Sequence, residues 1–243
     1  MFPAFARRFV QSTLSYVGFE LRRTSARPFP EATDEEWNTV RRFAPYTMTG
    51  AQRQWSLLKA LDYIDAAGIE GAIVECGVWR GGNMMMAKAT RRDASINREI
   101  FLYDTFSGMA APEDVDVSGK GRAADLMYDG WCAASLDDVR SNFASYGLLG
   151  PDVRFIAGKV EDTLTVPANL PDKIALLRLD TDWHASTKIE LAVLYPRLAS
   201  GGVLILDDYG FWTGARVAVD EYFANRPMLF VPVDKSCRVG IKR

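Results

Sequence analysis

Four carboxylates, Asp180, Asp182, Asp207 and Asp208, stand at the ends of two apolar runs, LLRLDTDWH (176–184) and GGVLILDDYG (201–210). Runs of this length, bounded by glycine or turn residues and separated by a helical stretch, read as buried parallel strands. In an open parallel sheet, ligands gather beyond the carboxyl ends of the strands. Two such ends bring four acidic groups to one rim. Their mutual repulsion raises their pKa values unless a cation neutralises them. All-oxygen ligation suits a hard ion such as Mg²⁺ better than zinc or copper. The only histidine, His184, rules out a multi-histidine metal site within this chain.

A second block, Ile73-Val74-Glu75-Cys76-Gly77-Val78-Trp79-Arg80-Gly81-Gly82, links an earlier strand to a helix. Gly77 and Gly81 either let backbone approach a ligand or only relieve a tight turn. The spacing is E-x-G-x-W-x-G-G rather than GxGxxG, so the pyrophosphate fingerprint of a dinucleotide enzyme is absent. Glu75 would repel a phosphate. It suits the ammonium group of S-adenosylmethionine better. The next strand ends in Asp104, where a carboxylate can accept hydrogen bonds from both ribose hydroxyls or cap the following segment. Trp79 either stacks on a ligand or packs, and Met84, Met85 and Met86 are expected to fill core.

The elements that must position these residues alternate regularly. Strands are expected at 72–76, 99–104, 153–158, 173–180 and 202–208, with two more near the carboxyl terminus, in a hairpin around Asp234 and Lys235. Helices fall at 50–68, 81–92, 135–147, 186–195 and 214–226. The pattern is α/β with a mostly parallel sheet. Residues 107–125, rich in Gly, Pro and Asp, read as a mobile loop. The 243 residues suit one α/β domain with an amino-terminal extension, and the net charge of −2 gives no reason to expect nucleic-acid binding. Cys76, Cys132 and Cys237 form no CxxC pair and read as reduced thiols, which points to the cytoplasm.

Residues 1–28 differ from the rest, with a net +4 against −6 for the remaining chain. The segment FARRFVQSTLSYVGFELRR is amphipathic and basic. It suits weak contact with an anionic membrane surface, or a helical arm covering a neighbouring subunit or the active site. The arm is the favoured reading, because the apolar face is short and interrupted by Gly18, and a homo-oligomer is expected.

VECGVWRGG (74–82), DTFSGM (104–109), VRSNFASYGLL (139–149), LLRLDTDWHAST (176–187) and YPRLASGGVLILDDYG (195–210) together resemble the macrocin O-methyltransferase family. The resemblance spans about residues 47–243. It implies a Rossmann-like class I methyltransferase sheet of seven mostly parallel strands, the last antiparallel. Residues 1–46 then form an amino-terminal helical arm or lid. It further implies transfer of a methyl group from S-adenosylmethionine, with Mg²⁺, to a hydroxyl of a sugar or glycosylated small molecule. Asp180, Asp207 and Asp208 stand where the family binds metal. Asp182 stands at its general base, and Thr49, Glu75, Gly77, Trp79, Gly81, Asp104, Phe106 and Asp180 at cofactor contacts. Thr47, Thr49 and Arg53 match the family's TxTxxxR entrance. Trp183 occupies the position of the lysine base of catechol O-methyltransferases, and His184 stands where the family commonly has tyrosine. His184 therefore rivals Asp182 as the base, shapes the acceptor pocket, or packs.

Three other readings compete. A catechol- or phenol-type O-methyltransferase would share the metal logic. A metal-dependent phosphoryl-transfer or hydrolytic enzyme would want a phosphate cradle, for which the Glu75 turn is poor. A non-catalytic S-adenosylmethionine-binding protein would need no acidic rim.

Overall fold

The computed structural model describes residue 27, residues 29–90 and residues 98–243. The chain divides into two compact units, Met1–Ala32 and Thr33–Arg243. Apart from residue 27, the basic segment 1–28 lies outside the described residues. Among the described residues no helix is long and apolar enough to cross a membrane.

The second unit begins with helix α1 (Asp34–Phe43), which a reciprocal cap starts. Thr33 Oγ1 accepts from the Glu36 N–H at 3.2 Å, and Glu36 Oε2 accepts from the Thr33 N–H at 2.9 Å. Val40 and Phe43 are buried in the same cluster as Leu57, Leu61, Met84 and Met85. The first apolar stripe of the second unit thus falls before residue 47, where the sequence reading began the catalytic domain. A 3-10 turn at Ala44–Tyr46 leads to α2 (Ala51–Ala66), β1 (Ala72–Cys76), α3 (Gly82–Ala89) and β2 (Ile100–Asp104). The three methionines of α3 are fully buried, as expected of core.

After a small hairpin, β3 (Val117–Ser118) and β4 (Gly121–Arg122), come α4 (Ala123–Leu126), α5 (Leu136–Ser145) and β5 (Val153–Ala157). The remainder runs through α6 (Val160–Thr163), β6 (Ile174–Leu179), α7 (His184–Val193), β7 (Leu198–Leu206), α8 (Thr213–Phe223), β8 (Val231–Pro232) and β9 (Arg238–Ile241). One seven-stranded sheet has the order β5-β2-β1-β6-β7-β9-β8. The first five strands in that order are parallel, and β9 is antiparallel to both β7 and β8. This is the sheet that the resemblance implies, with the expected carboxyl-terminal hairpin.

The sheet separates two apolar layers. Ile73, Ile100, Leu102, Leu176, Val203 and Ile205 face one cluster. Val74, Cys76, Phe101, Tyr103, Leu177 and Leu204 face the other. Side chains alternate across a strand, so Glu75, Arg178 and Asp207 share parity with the first group. Glu75 pairs with Arg178 across β1 and β6, and Arg178 with Ile205 across β6 and β7. Three charged residues therefore lie side by side on one buried face.

Residues 107–125 depart from the expected mobile loop. They carry the β3–β4 hairpin and enclose Asp116, whose side chain is wholly buried. Asp116 Oδ2 accepts from the Glu113 N–H at 2.7 Å, and Oδ1 from the His184 N–H at 2.8 Å. The second bond caps α7, whose own N-cap residue, Trp183, has no capping side chain. Glycine, proline and aspartate mark turns, but they do not reveal that one aspartate is fastened inside. Asp116→Ala should destabilise the protein by about 1–3 kcal/mol, because two part-buried N–H groups, one of them at the start of α7, lose their acceptor. It should also speed proteolytic cleavage within 107–125. Urea unfolding and limited proteolysis matching the wild type would contradict this anchoring.

Candidate active site

A cavity of about 310 Å³ opens at the carboxyl ends of β1, β2, β6 and β7. Thr49, Gly77, Trp79, Asp104, Asp180, Asp182, Asp207 and Asp208 line it, as does Arg53 of the entrance motif. Eight of the twelve residues singled out from the sequence thus meet there. Glu75, Gly81, Phe106 and His184 do not reach its wall.

The turn after β1 is shaped by Asp104. Its Oδ2 accepts from the Val78 and Trp79 N–H groups at 2.8 and 3.0 Å, and its Oδ1 from the Phe106 N–H at 2.8 Å. Burial pushes its pKa up, against the pull of these donors. Asp104 thus holds two turns together while still lining the cavity, and Phe106 contributes a backbone N–H to it. Gly77 has φ +81°, and a Cβ there would stand 2.1 Å from the Asp180 carbonyl oxygen. Only glycine lets the first turn approach the β6 end so closely. Gly81, with φ +83°, caps α3 and would press a Cβ on Phe143 and Val139. Its task is packing.

Beneath the cavity lies Arg178, which the sequence reading did not single out. A lone charge inside the apolar run IALLRL was the available signal. Its Nη1 donates to Glu75 Oε1 at 2.5 Å and Asp180 Oδ2 at 2.6 Å. Its Nη2 donates to Thr49 Oγ1 at 2.9 Å and to Asp207 Oδ1. Burial works against its charge, but the carboxylates outweigh it and hold the guanidinium protonated. Glu75 is likewise buried and its pKa raised by desolvation. Asn83 Nδ2 donates to Glu75 Oε1 and Thr49 Oγ1, both at 3.0 Å. Glu75 therefore faces an arginine and an asparagine rather than the cavity. Arg53 donates to the other oxygen of Asp207 and, at 2.7 Å, to Asp234 Oδ2 in the β8–β9 turn.

Asp180, Asp207 and Asp208 each offer an oxygen, all within 4.8 Å of one another. Asp208 Oδ2 is buried and receives no hydrogen bond. Such an all-carboxylate set, with an oxygen lacking a partner, fits a hard divalent cation. Burial first, then neighbouring carboxylates, push the Asp180 and Asp208 pKa values well up. Burial raises Asp182 to about 7, even with a hydrogen bond to Asp208 that lowers it.

Asp182 reaches the cavity through a turn. Strand parity would place it beside Asp180 if the chain stayed extended, but β6 ends at Leu179 and Asp182 has φ +70°. A left-handed turn, not an extended strand, aims its carboxylate. His184 opens α7 instead, with Nδ1 3.4 Å from Glu113 and Nε2 3.6 Å from Glu221. The neighbouring Trp183 packs with Trp212 and Trp131 at ring-centroid distances of 5.0 and 6.2 Å. Its Nε1 donates to the Ala110 carbonyl at 2.9 Å. The three indoles form an apolar wall beside the carboxylates.

The raised carboxyl pKa values have a consequence for stability. A group whose pKa is higher folded than unfolded stabilises the fold at low pH, and that contribution is lost as pH rises through the folded value. Asp182 passes that point at about 7, while Asp180 and Asp208 stand far above their unfolded values. In chelator, the thermal midpoint should fall as pH is raised from about 6 to about 8, and Mg²⁺ should flatten the profile. A midpoint that climbs across that window in chelator would contradict these assignments.

Comparison with known proteins places this geometry in a family. The macrocin O-methyltransferase family model matches residues 11–237. A Streptomyces olivaceus enzyme, 8-demethyl-8-(2,3-dimethoxy-alpha-L-rhamnosyl)-tetracenomycin-C 4'-O-methyltransferase, is 36% identical over 199 residues, covering 79% of this chain and 72% of that protein. Demethyldecarbamoylnovobiocin O-methyltransferase of Streptomyces niveus is 34% identical over 180 residues, covering 74% and 68%. The solved structure of the O-methyltransferase NovP superposes with a TM-score of 0.71 at 31% identity, covering 81% of this chain and 82% of that one. The chain belongs to the macrocin O-methyltransferase family, and the protein is a methyltransferase.

Proposed function

We propose that the protein transfers a methyl group from S-adenosylmethionine, with Mg²⁺, to a hydroxyl of a sugar or glycosylated natural product. The observation that carries this reading is the convergence of four carboxylates with the Gly77 turn and Asp104 on one cavity. The similarity to enzymes named for methylating glycosylated natural products supports the acceptor class. The acidic rim argues against a protein that only binds the cofactor, since nucleoside recognition at Asp104 needs no cluster of this kind.

S-adenosylmethionine supplies the methyl group and a positively charged sulfur. Asp180, Asp207 and Asp208 would hold the divalent cation, which supplies positive charge beside the acceptor oxygens. Asp104 presents the remaining lone pair of Oδ1 to the ribose, both sites of Oδ2 being filled by Val78 and Trp79. The Gly77 turn lets the nucleoside approach the sheet end. Asp182 takes the hydroxyl proton. Its carboxyl, raised to about 7, is matched to proton transfer near neutrality. Trp131, Trp183 and Trp212 cover the apolar face of the acceptor and keep water from the carboxylates. His184 serves as a support for the segment around Glu113, not as the base.

A cytoplasmic homo-oligomer belongs to the same proposal. The free thiols of Cys76, Cys132 and Cys237 support the compartment, and the exposed apolar side chains of Leu229, Val231 and Ile241 at the β8–β9 edge support association. The basic amino-terminal segment remains proposed as an arm over a subunit or the site, with weak membrane contact as its rival.

Single-turnover methyl transfer tests the central roles. Activity should vanish in chelator and return with Mg²⁺. Asp182→Asn should keep cofactor affinity and lower the rate by about 10²–10⁴-fold. His184→Phe should cost far less, because its ring is off the cavity wall. Full activity in excess chelator, or a greater loss in His184→Phe than in Asp182→Asn, would overturn this mechanism.

A further inference from the structure

We propose that Arg178 and Thr49 couple the two halves of the site, so that a divalent cation on the acidic rim strengthens binding of the cofactor's α-carboxylate. The inference rests on the methyltransferase reading above and concerns residues whose geometry is already in place.

Arg178 is shared in a particular way. Nη1 divides between Glu75, below, and Asp180, on the rim. Nη2 divides between Thr49, on the cavity wall, and Asp207, on the rim. Each nitrogen thus serves one rim carboxylate and one group on the other side. Charge drawn from Asp180 and Asp207 by a cation weakens their hold on the guanidinium. The bonds to Glu75 and Thr49 then strengthen at their expense.

Thr49 turns that change outward. A hydroxyl oxygen has two lone pairs and one proton. The lone pairs of Thr49 Oγ1 are filled by Arg178 Nη2 at 2.9 Å and Asn83 Nδ2 at 3.0 Å. Its proton is left to donate, and it finds no acceptor among the described residues. Thr49 is 7% exposed and lines the cavity. The hydroxyl is therefore a fixed donor awaiting an acceptor from the ligand. A firmer bond from Arg178 polarises its O–H and makes it a better donor. The matching ligand chemistry is an amino-acid carboxylate. An anion of that kind would also be repelled by the bare rim and accepted once a cation offsets it. Both effects have the same sign.

Calorimetric titration of the full chain with S-adenosylhomocysteine, in chelator and in excess Mg²⁺, reads this coupling directly. Wild-type affinity should rise about fivefold or more with Mg²⁺. By linkage, the cofactor product should tighten Mg²⁺ binding by the same factor. Methylthioadenosine, which lacks the carboxylate, should bind equally in both conditions. Thr49→Val preserves every charge. It should bind S-adenosylhomocysteine with a clearly smaller dependence on Mg²⁺ than the wild type, the direct charge effect of the rim remaining, while retaining Mn²⁺ affinity by paramagnetic resonance. Arg178→Lys should behave alike if it folds, and Thr49→Val decides the matter if it does not. Undiminished coupling in Thr49→Val, or the same coupling with methylthioadenosine, would overturn the inference. So would wild-type affinity indifferent to Mg²⁺. Failure of the wild type to bind S-adenosylhomocysteine at all would overturn the methyltransferase reading itself.

Discussion

One buried guanidinium governs the arrangement of this site. Arg178 is 1% exposed and lies, with Glu75 and Asp207, on a sheet face packed elsewhere with Ile, Leu and Val. A charge so placed must be paired, and stripping away one partner of such a pair typically costs about 3–5 kcal/mol. The pairing is spread over β1, β6 and the end of β7 through Glu75, Asp180 and Asp207. Strand register therefore decides where the rim carboxylates stand. Shifting β1 or β7 by a residue would send its acid to the opposite face and strip the guanidinium of one of its three partners.

Local backbone strain gathers around the same cavity. Among the described residues, the non-glycine positions with left-handed φ are Trp79, Phe106, Cys132 and Asp182. Three of them line the cavity, and the fourth feeds its N–H to Asp104. Such conformations cost about 1–3 kcal/mol each and persist only when surrounding contacts enforce them. Here the enforcing contacts are identifiable. Asp104 gathers the Trp79 and Phe106 backbones. Trp183 and Asp116 fix the chain immediately after Asp182 through bonds to Ala110 and from His184. The Asp182 carboxylate is thereby aimed by how the chain just after it is fastened.

The sheet and the acidic rim were legible in the sequence because both rest on short-range patterns. Five apolar runs ending near Glu75, Asp104, Gly158, Asp180 and Asp208 announce parallel strands and mark their functional ends. What escaped depends on long-range packing. Arg178 declares its charge but not its four acceptors, which come from Thr49 to Asp207 along the chain. Asp116 sits among turn-forming residues, and only the approach of α7 shows that it is buried. The parity argument for Asp182 assumed an extended chain, whereas a left-handed turn delivered it. Glu75 was read as a ligand contact from its place at the end of the strand, where the turn begins, yet its side chain lies on the face occupied by Arg178.

The proposed methyl transfer requires cation and cofactor to share one cavity, bounded by Asp104 on one side and Asp180, Asp207 and Asp208 on the other. The most direct measurement is the proton relaxation of S-adenosylhomocysteine in the presence of the protein and Mn²⁺. The ligand's protons should relax faster when both are bound, an effect lost in Asp208→Asn. Relaxation rates unchanged by bound Mn²⁺, with both ligands shown to be on the protein, would place the cation elsewhere and contradict the account.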